Sequence, residues 1–338
     1  MDMFKKAFRY ILNFIKENIV LLIIIAVILI LNQIKLPYSI NMPGGATNLN
    51  DRYKIENSYK IKGSINMAYV SSLKANPISY IAALIIPSWD LEKLEEYTLE
   101  NEGEKDYLNR GKKNLEESIN VAKIVALRAA GYEINIKTTS LVVTYLTEEA
   151  NTDLMINDEI IAFDNQVIES FEQIKDIVEA KKVNDVIKIK VIRDGKEKLC
   201  SAKVYQYEGN LYIGMMATSK YEYESNLNVK FIYEDEEYGP SGGLMNTLAI
   251  YNAITKEDIT HGKKIIGTGT IDIDGNVGAV GGIKYKLIGA NKKKCDIFIV
   301  PSANYDEAMK IKKKHKLKIK VVKVATFDEA KNYLEGMK

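Results

Sequence analysis

Between Ile19 and Leu31 the chain reads IVLLIIIAVILIL, with no polar residue. A helix on the surface of a soluble domain carries a polar stripe, and this run has none. It therefore points to hydrocarbon as its solvent. With Asn32 and Gln33 tolerated the run extends to Ile34. A bilayer core takes about 17 to 25 helical residues, so the span is short and becomes adequate when Tyr10 to Ile15 enters the interface. The following NQIKLPYSINMPGG offers no small-x-small cleavage site directly behind the apolar core, which favours a retained anchor over a removed signal peptide. Lys5, Lys6, Arg9 and Lys16 precede the run, and only Lys35 follows it closely. The positive-inside rule then puts the amino terminus in the cytoplasm and everything after Leu36 outside, as a single-pass protein of the cell membrane.

The 338 residues leave room for two domains, or three if one is small. Hydrophobic residues make up 46% and charged residues 27%, and with 6 prolines the composition is that of a folded chain. Forty-seven Lys plus Arg against 45 Asp plus Glu give a net charge of +2, so nucleic acid is not an expected partner. Two cysteines and two histidines exclude a Cys-rich zinc site, a disulfide-stapled scaffold and a His-rich metal centre. No metal and no cofactor is expected. Cys200 and Cys295 allow one bridge at most, and His261 and His315 read as solvated or locally hydrogen-bonded.

The chain divides into a cytoplasmic tail and anchor at 1–36, an extracellular segment at 37–135, a small module at 136–207 and an α/β domain at 208–338. Within the second part, YKIKGSINMAYV and ISYIAALII read as strands, or as a strand and a buried helix. Leu91 to Lys113 is dense in Glu, Lys and Asn, and NLEESINVAKIVALRAA (114–130) has helical spacing that stops at Gly131. In the third part LVVTYL, EIIAFD, VIKIKVI and KLCSAKV are strand-like, and SFEQIKDIVEAK is an amphipathic helix. This order resembles bacterial PDZ domains, with Asn157-Asp158-Glu159-Ile160-Ile161 where those domains show Gly-Asp-x-Ile, and an Asp194-Gly195 turn in the terminal strand pair. Neither a Gly before Asp158 nor a clear Gly-rich carboxylate loop before Leu141 is present. Peptide binding by strand addition is what the resemblance implies; a module that only positions its neighbour is the alternative. From Asn226 onward strands and helices alternate, as in an α/β arrangement with parallel pairing.

The sharpest local signal is Tyr238-Gly239-Pro240-Ser241-Gly242-Gly243-Leu244, set between a strand and a helix. Glycines around a serine let a ligand approach the backbone, and the helix start aims free N–H groups at the same place. An ordinary Ser N-cap would give the same residues. A nucleophilic serine needs a base, and with histidine so scarce that base is a lysine or a carboxylate. Gly281-Gly282-Ile283-Lys284-Tyr285-Lys286 opens a second helix behind a glycine turn. A lysine there acts as a base only when neutral, which burial favours. Lys286 can face inward, with Lys284 as the outward alternative.

Together GPSGGL at 239–244, GTGTIDIDGNVGAVGGIKYK at 267–286 and DIFIVP at 296–301, with Asn304 just beyond, resemble the peptidase domain of Lon-type serine proteases. The resemblance implies a dyad of Ser241 as nucleophile and Lys286 as base. It also implies a supporting hydroxyl at Thr268, and Gly242 at a position where the Lon pattern usually has Ala, a change expected to be tolerated. The whole layout is similar to membrane-anchored PDZ and Lon-type proteases of Gram-positive bacteria, which implies an α/β (α+β) peptidase fold with a small β-rich PDZ-like domain and an N-terminal transmembrane helix. By that likeness Tyr53 to Gly131 belongs to the peptidase fold, with the PDZ-like module inserted in it. No G-x-x-x-x-G-K-[ST] string occurs, so ATP is not an expected partner. The expected activity is ATP-independent serine endopeptidase cleavage of flexible or unfolded extracytoplasmic segments. The expected partners are polypeptide substrates, and membrane lipid through the N-terminal helix; a homo-oligomer is compatible with the sequence. A non-catalytic membrane-anchored PDZ scaffold that binds protein tails is the alternative function. Asp272-Ile273-Asp274-Gly275-Asn276 reads as a turn in preference to a calcium loop, and Glu234 to Glu237 as a solvated acidic loop.

Overall fold

The computed structural model describes residues 2–93, 102–168 and 170–337. Its helices are α1 Asp2–Glu17, α2 Ile19–Gln33, α3 Pro77–Ile85, α4 Glu104–Ala129, α5 Phe171–Glu179, α6 Gly243–Ile254, α7 Ile283–Lys292, α8 Tyr305–Lys314 and α9 Phe327–Glu335. Two compact units result, residues 1–43 with 71–97 and residues 44–70 with 98–338. Part of the Glu-, Lys- and Asn-rich stretch, at 94–101, lies outside the described residues.

In the first unit α1 and α2 meet at Asn18, whose side chain donates to the Phe14 carbonyl at 2.8 Å. No single helix among the described residues is long and apolar enough to cross a membrane. Ala7–Glu17 and Ile19–Gln33 together have the length and composition of a span, bent by 77° between them. The start of strand Tyr38–Asn48 pairs antiparallel with Asp90–Lys93, from Tyr38↔Lys93 to Asn41↔Asp90. Ile40, Ala75 and Ala83 form a small core, packed by Leu36, Tyr38, Met42, Trp89 and Leu91. Asn76 and Ser79 close a reciprocal capping box at the start of α3, and Pro77 supplies the fixed φ of a first helical turn. The sequence allowed this segment to be a buried helix. It is a helix, but among its residues only Ala83 is buried.

The second unit is built on parallel strands. Ser64–Lys74 pairs through residues 64–67 with Lys264–Gly267, which pairs with Ile297–Pro301, which pairs with Lys320–Val324. Successive side chains of a strand leave by opposite faces, and here both faces are covered. Ile297 and Ile299 enter a core with α4, α6 and α9, while Phe298 and Val300 enter another with α7 and α8. Burial on both sides explains why IFIVP is apolar without alternation. α4 stops where Gly131 adopts φ +82°, as its place in the sequence predicts.

The same unit contains the PDZ-like module, with its own core of Leu141, Val143, Ile160, Phe163, Ile187, Ile189 and Val191. Asn157 takes φ +75° where the resemblance would place Gly, a left-handed conformation that asparagine tolerates better than most residues. The fully buried Asp158 pairs with Arg193, Nε to Oδ1 at 2.6 Å. Strand Ile134–Leu146, which contains LVVTYL, pairs on one side with Glu159–Phe163 and on the other with Met215–Ser225. Among the described residues this returning strand, Met215–Ser225, is itself the end strand of that sheet. Cys200 and Cys295 are both free and buried, in separate cores.

Candidate active site

Ser241 sits at the end of a loop that α4 holds from one side. Gly239 adopts φ +88°, which favours glycine, and its N–H donates to the Gly111 carbonyl at 2.8 Å. The Ser118 hydroxyl donates to the Pro240 carbonyl at 3.1 Å. The Ser241 carbonyl is fixed twice, accepting from the Gly269 N–H at 2.8 Å and from the Thr268 hydroxyl at 2.9 Å. Among the described residues, the N–H groups of Ser241 and Gly242 donate to no protein acceptor. α6 begins at the next residue, so its amino end adds positive potential beside these donors. An anion developing there would meet both.

α7 follows its cap residue Gly282 and turns Ile283, Leu287 and Ala290 into the core. Lys286 lies on the same inward side and is 4% exposed. Its amine donates to the Thr268 hydroxyl oxygen at 3.1 Å. Burial removes the water that stabilises an ammonium ion and pushes the Lys286 pKa down to about 8. Lys284, the rival, is half-buried with its amine over the Tyr285 ring. The structure thus joins three of the four expected site residues in one chain of contacts: Lys286 to Thr268, and Thr268 to the backbone of Ser241.

Gly242, the fourth, is packed against Met67. A Cβ at 242 would stand 2.1 Å from the Met67 sulfur, so in this chain the glycine makes room for Met67, and an alanine would require the thioether to move. The glycine is the complement of a methionine 175 positions away, which no local pattern reveals.

Sequence reasoning also missed Arg52 and Tyr53. Arg52 is 5% exposed and forms a two-pronged pair with Glu237, reaches Glu234 at 2.9 Å and donates to the Ile232 carbonyl at 2.8 Å. Its guanidinium also lies over the Phe231 ring. Glu234 to Glu236 are exposed, as expected of a solvated acidic loop, while Glu237 is drawn against Arg52, so the loop is also a strap that fixes the residues just before Tyr238. On the far side of the serine, the Tyr53 hydroxyl donates to Asn246 Oδ1 at 2.7 Å, and Asn246 Nδ2 donates to the Gly242 carbonyl at 3.0 Å. Arg52 and Tyr53, adjacent where the strand Tyr53–Ile55 begins, so brace both flanks of the serine. One signal was available: this chain has five arginines among its many lysines, and Arg52, Arg110 and Arg193 all make forked carboxylate pairs.

Asp272 receives the backbone N–H groups of Asp274 and Asn276, a turn between two short strands, as the sequence suggested. Among the described residues no acidic, histidine or cysteine group has the arrangement of a metal site. His261 is held by the Leu334 carbonyl at 3.0 Å.

Residues 236–335, which carry the serine loop, Thr268 and Lys286, match the Lon protease (S16) C-terminal proteolytic domain. This part of the chain is Lon-like. Residues 128–204 match a PDZ domain. A Lon protease of Campylobacter concisus is 30% identical over 173 residues, which is 50% of this chain and 19% of that protein. One of Mesomycoplasma hyopneumoniae is 32% identical over 96 residues, 28% of this chain and 11% of that one. An archaeal Lon protease of Halobacterium salinarum is 29% identical over 108 residues, 31% and 15% of the two chains. The chain thus spans less than a fifth of the length of these curated relatives. Among solved structures, the PDZ domain of an SdrC-like protein of Listeria innocua is 26% identical, covering 23% of this chain and 92% of that one at a TM-score of 0.22. The Lon-like domain supports serine peptidase activity.

Proposed function

We propose that the chain is a membrane-tethered serine endopeptidase that cleaves flexible or unfolded segments outside the cytoplasmic membrane, with Ser241 as nucleophile and Lys286 as its base. The observation that carries this reading is the buried Lys286 amine, pKa about 8, bonded to the hydroxyl that also holds the Ser241 backbone. Neutral Lys286 takes the Ser241 hydroxyl proton as the oxygen attacks the scissile carbonyl. The oxyanion meets the N–H groups of Ser241 and Gly242, each worth roughly 3 to 4 kcal/mol in comparable sites. Lys286 returns the proton to the departing amine, and a water activated by the same amine then releases the acyl group from Ser241.

Tethering is supported by the apolar α2 and by the joint length of Ala7–Glu17 and Ile19–Gln33. Action without ATP is supported by the absence of a phosphate-cradling G-x-x-x-x-G-K-[ST] string in this sequence. An unpowered peptidase needs substrates that are already unfolded.

The test compares the full chain with Ser241→Ala and Lys286→Ala on an unfolded protein substrate in detergent or vesicles, from pH 6 to 10. Loss of cleavage in both variants is expected. Cleavage that survives both would defeat the dyad, and tail binding without cleavage in any version would favour the scaffold.

A further inference from the structure

We propose that α3 is a second membrane-contact element, an interfacial helix that places Ile81, Leu84 and Ile85 in the acyl region beside the end of α2; this rests on the tether reading of α2. α2 is apolar all round and no residue of it is buried. A protein groove covers one face of a helix, whereas a hydrocarbon phase covers every face. What surrounds α2 also surrounds whatever is fixed beside it.

α3 is so fixed. Asn76, its cap, donates from Nδ2 to Asn32 Oδ1 at the end of α2 at 2.7 Å. The Leu36 N–H donates to the Ala75 carbonyl at 2.8 Å, and the Ala75 N–H to the Tyr38 carbonyl at 2.8 Å. The first turn of α3 is thereby tied to the last turn of α2 and the chain leaving it.

The face α3 presents is apolar. Ile81, Leu84 and Ile85 are 58%, 67% and 73% exposed, and spacings of three and four residues put them on one side. From Ala75 to Ser88 the sequence has no charged residue. Aromatic groups suited to the headgroup level flank the helix: Tyr38 and Tyr80 stack edge to face, and Trp89 follows it. Nine residues at about 1.5 Å each cannot span a bilayer, so α3 lies along the surface with its apolar side down. The fifteen residues of α2 fall short of a hydrocarbon thickness of about 30 Å, and a short span draws the interface inward, toward α3.

The test uses the full chain in phosphatidylcholine–phosphatidylglycerol vesicles, with nitroxide labels at Leu84→Cys, at Ile25→Cys within α2 and at the exposed Lys60→Cys as an aqueous reference. Cys200 and Cys295 are buried, which favours labelling at the introduced thiol. Collision with dioxygen, which concentrates in acyl chains, is compared with collision with a water-soluble nickel chelate. Labels at 84 and 25 are expected to favour dioxygen several-fold over the label at 60. If position 25 favours dioxygen and position 84 behaves like 60, the proposal falls and the tether stands. If position 25 also behaves like 60, the tether fails and takes the proposal with it. Because a label is itself apolar, a second measurement places it at Ile78→Cys with and without I81N/L84N/I85N. The triple change is expected to abolish the dioxygen preference at 78; its persistence would overturn the role of the apolar face.

Discussion

The amine of Lys286 lies 3.1 Å from the Thr268 hydroxyl oxygen, and that hydroxyl donates at 2.9 Å to the carbonyl of Ser241. One side chain thus ties the proposed base to the backbone of the proposed nucleophile. Below pH 8 the neutral fraction of Lys286 falls about tenfold per pH unit, so kcat/KM should climb with that slope and level off above about 8. A pH–rate profile on a small peptide checks this; a flat profile from pH 6 to 10 would exclude Lys286 as the base.

Thr268→Val keeps the shape and removes both hydrogen bonds. Loss of alignment should lower kcat by about 10- to 100-fold, in the range of an alignment or acid–base defect, and Thr268→Ser should restore most of it. Steady-state kinetics of the two variants, with circular dichroism to confirm folding, make the comparison.

Burial of Lys286 also carries a stability cost. Its folded pKa of about 8 lies below its unfolded 10.5, so the stability it contributes is greatest above 10.5 and is lost as pH falls through 8. At pH 6 to 7 Lys286→Met should therefore stabilise the fold by about 2 to 3 kcal/mol while removing activity. Denaturant melts at pH 6 and pH 10 test the sign, since the gain should shrink at the higher pH.

Arg52→Met leaves Glu237 without its forked partner, a loss of about 3 to 5 kcal/mol for a buried pair. Because the strap holds the loop leading to Ser241, kcat should fall more than KM rises. Arg52→Lys cannot make the fork and should rescue little; full rescue by lysine would show that charge alone suffices.

A methyl at 242 displaces Met67, so Gly242→Ala should cost about 1 to 3 kcal/mol, as overpacking does. Pairing it with Met67→Ala should recover most of the loss in a double-mutant cycle. Additive effects would mean that the two sites do not share the space.

What the sequence by itself determined was local. The apolar run at 19–31, the stop of α4 at Gly131, the hairpin at Asp194-Gly195, the glycine-framed serine and the helix carrying Lys286 all follow from hydrophobic period and turn chemistry, which act over a few residues. Lys286 was the inward choice and Lys284 the outward alternative, both in the first turn of α7; in the structure Lys286 is buried and Lys284 half-buried. Arg52 and Glu237 are 185 positions apart, Tyr53 and Asn246 are 193 apart, and Met67 faces Gly242 across a similar distance. Only the packing of α6 beside the parallel sheet brings them together, since a close contact between distant segments depends on the sum of all the side chains between them and leaves no period in the sequence. The second edge of LVVTYL was likewise taken by Met215–Ser225, from beyond the module's expected boundary, because an unpaired row of backbone groups accepts whichever strand the fold delivers.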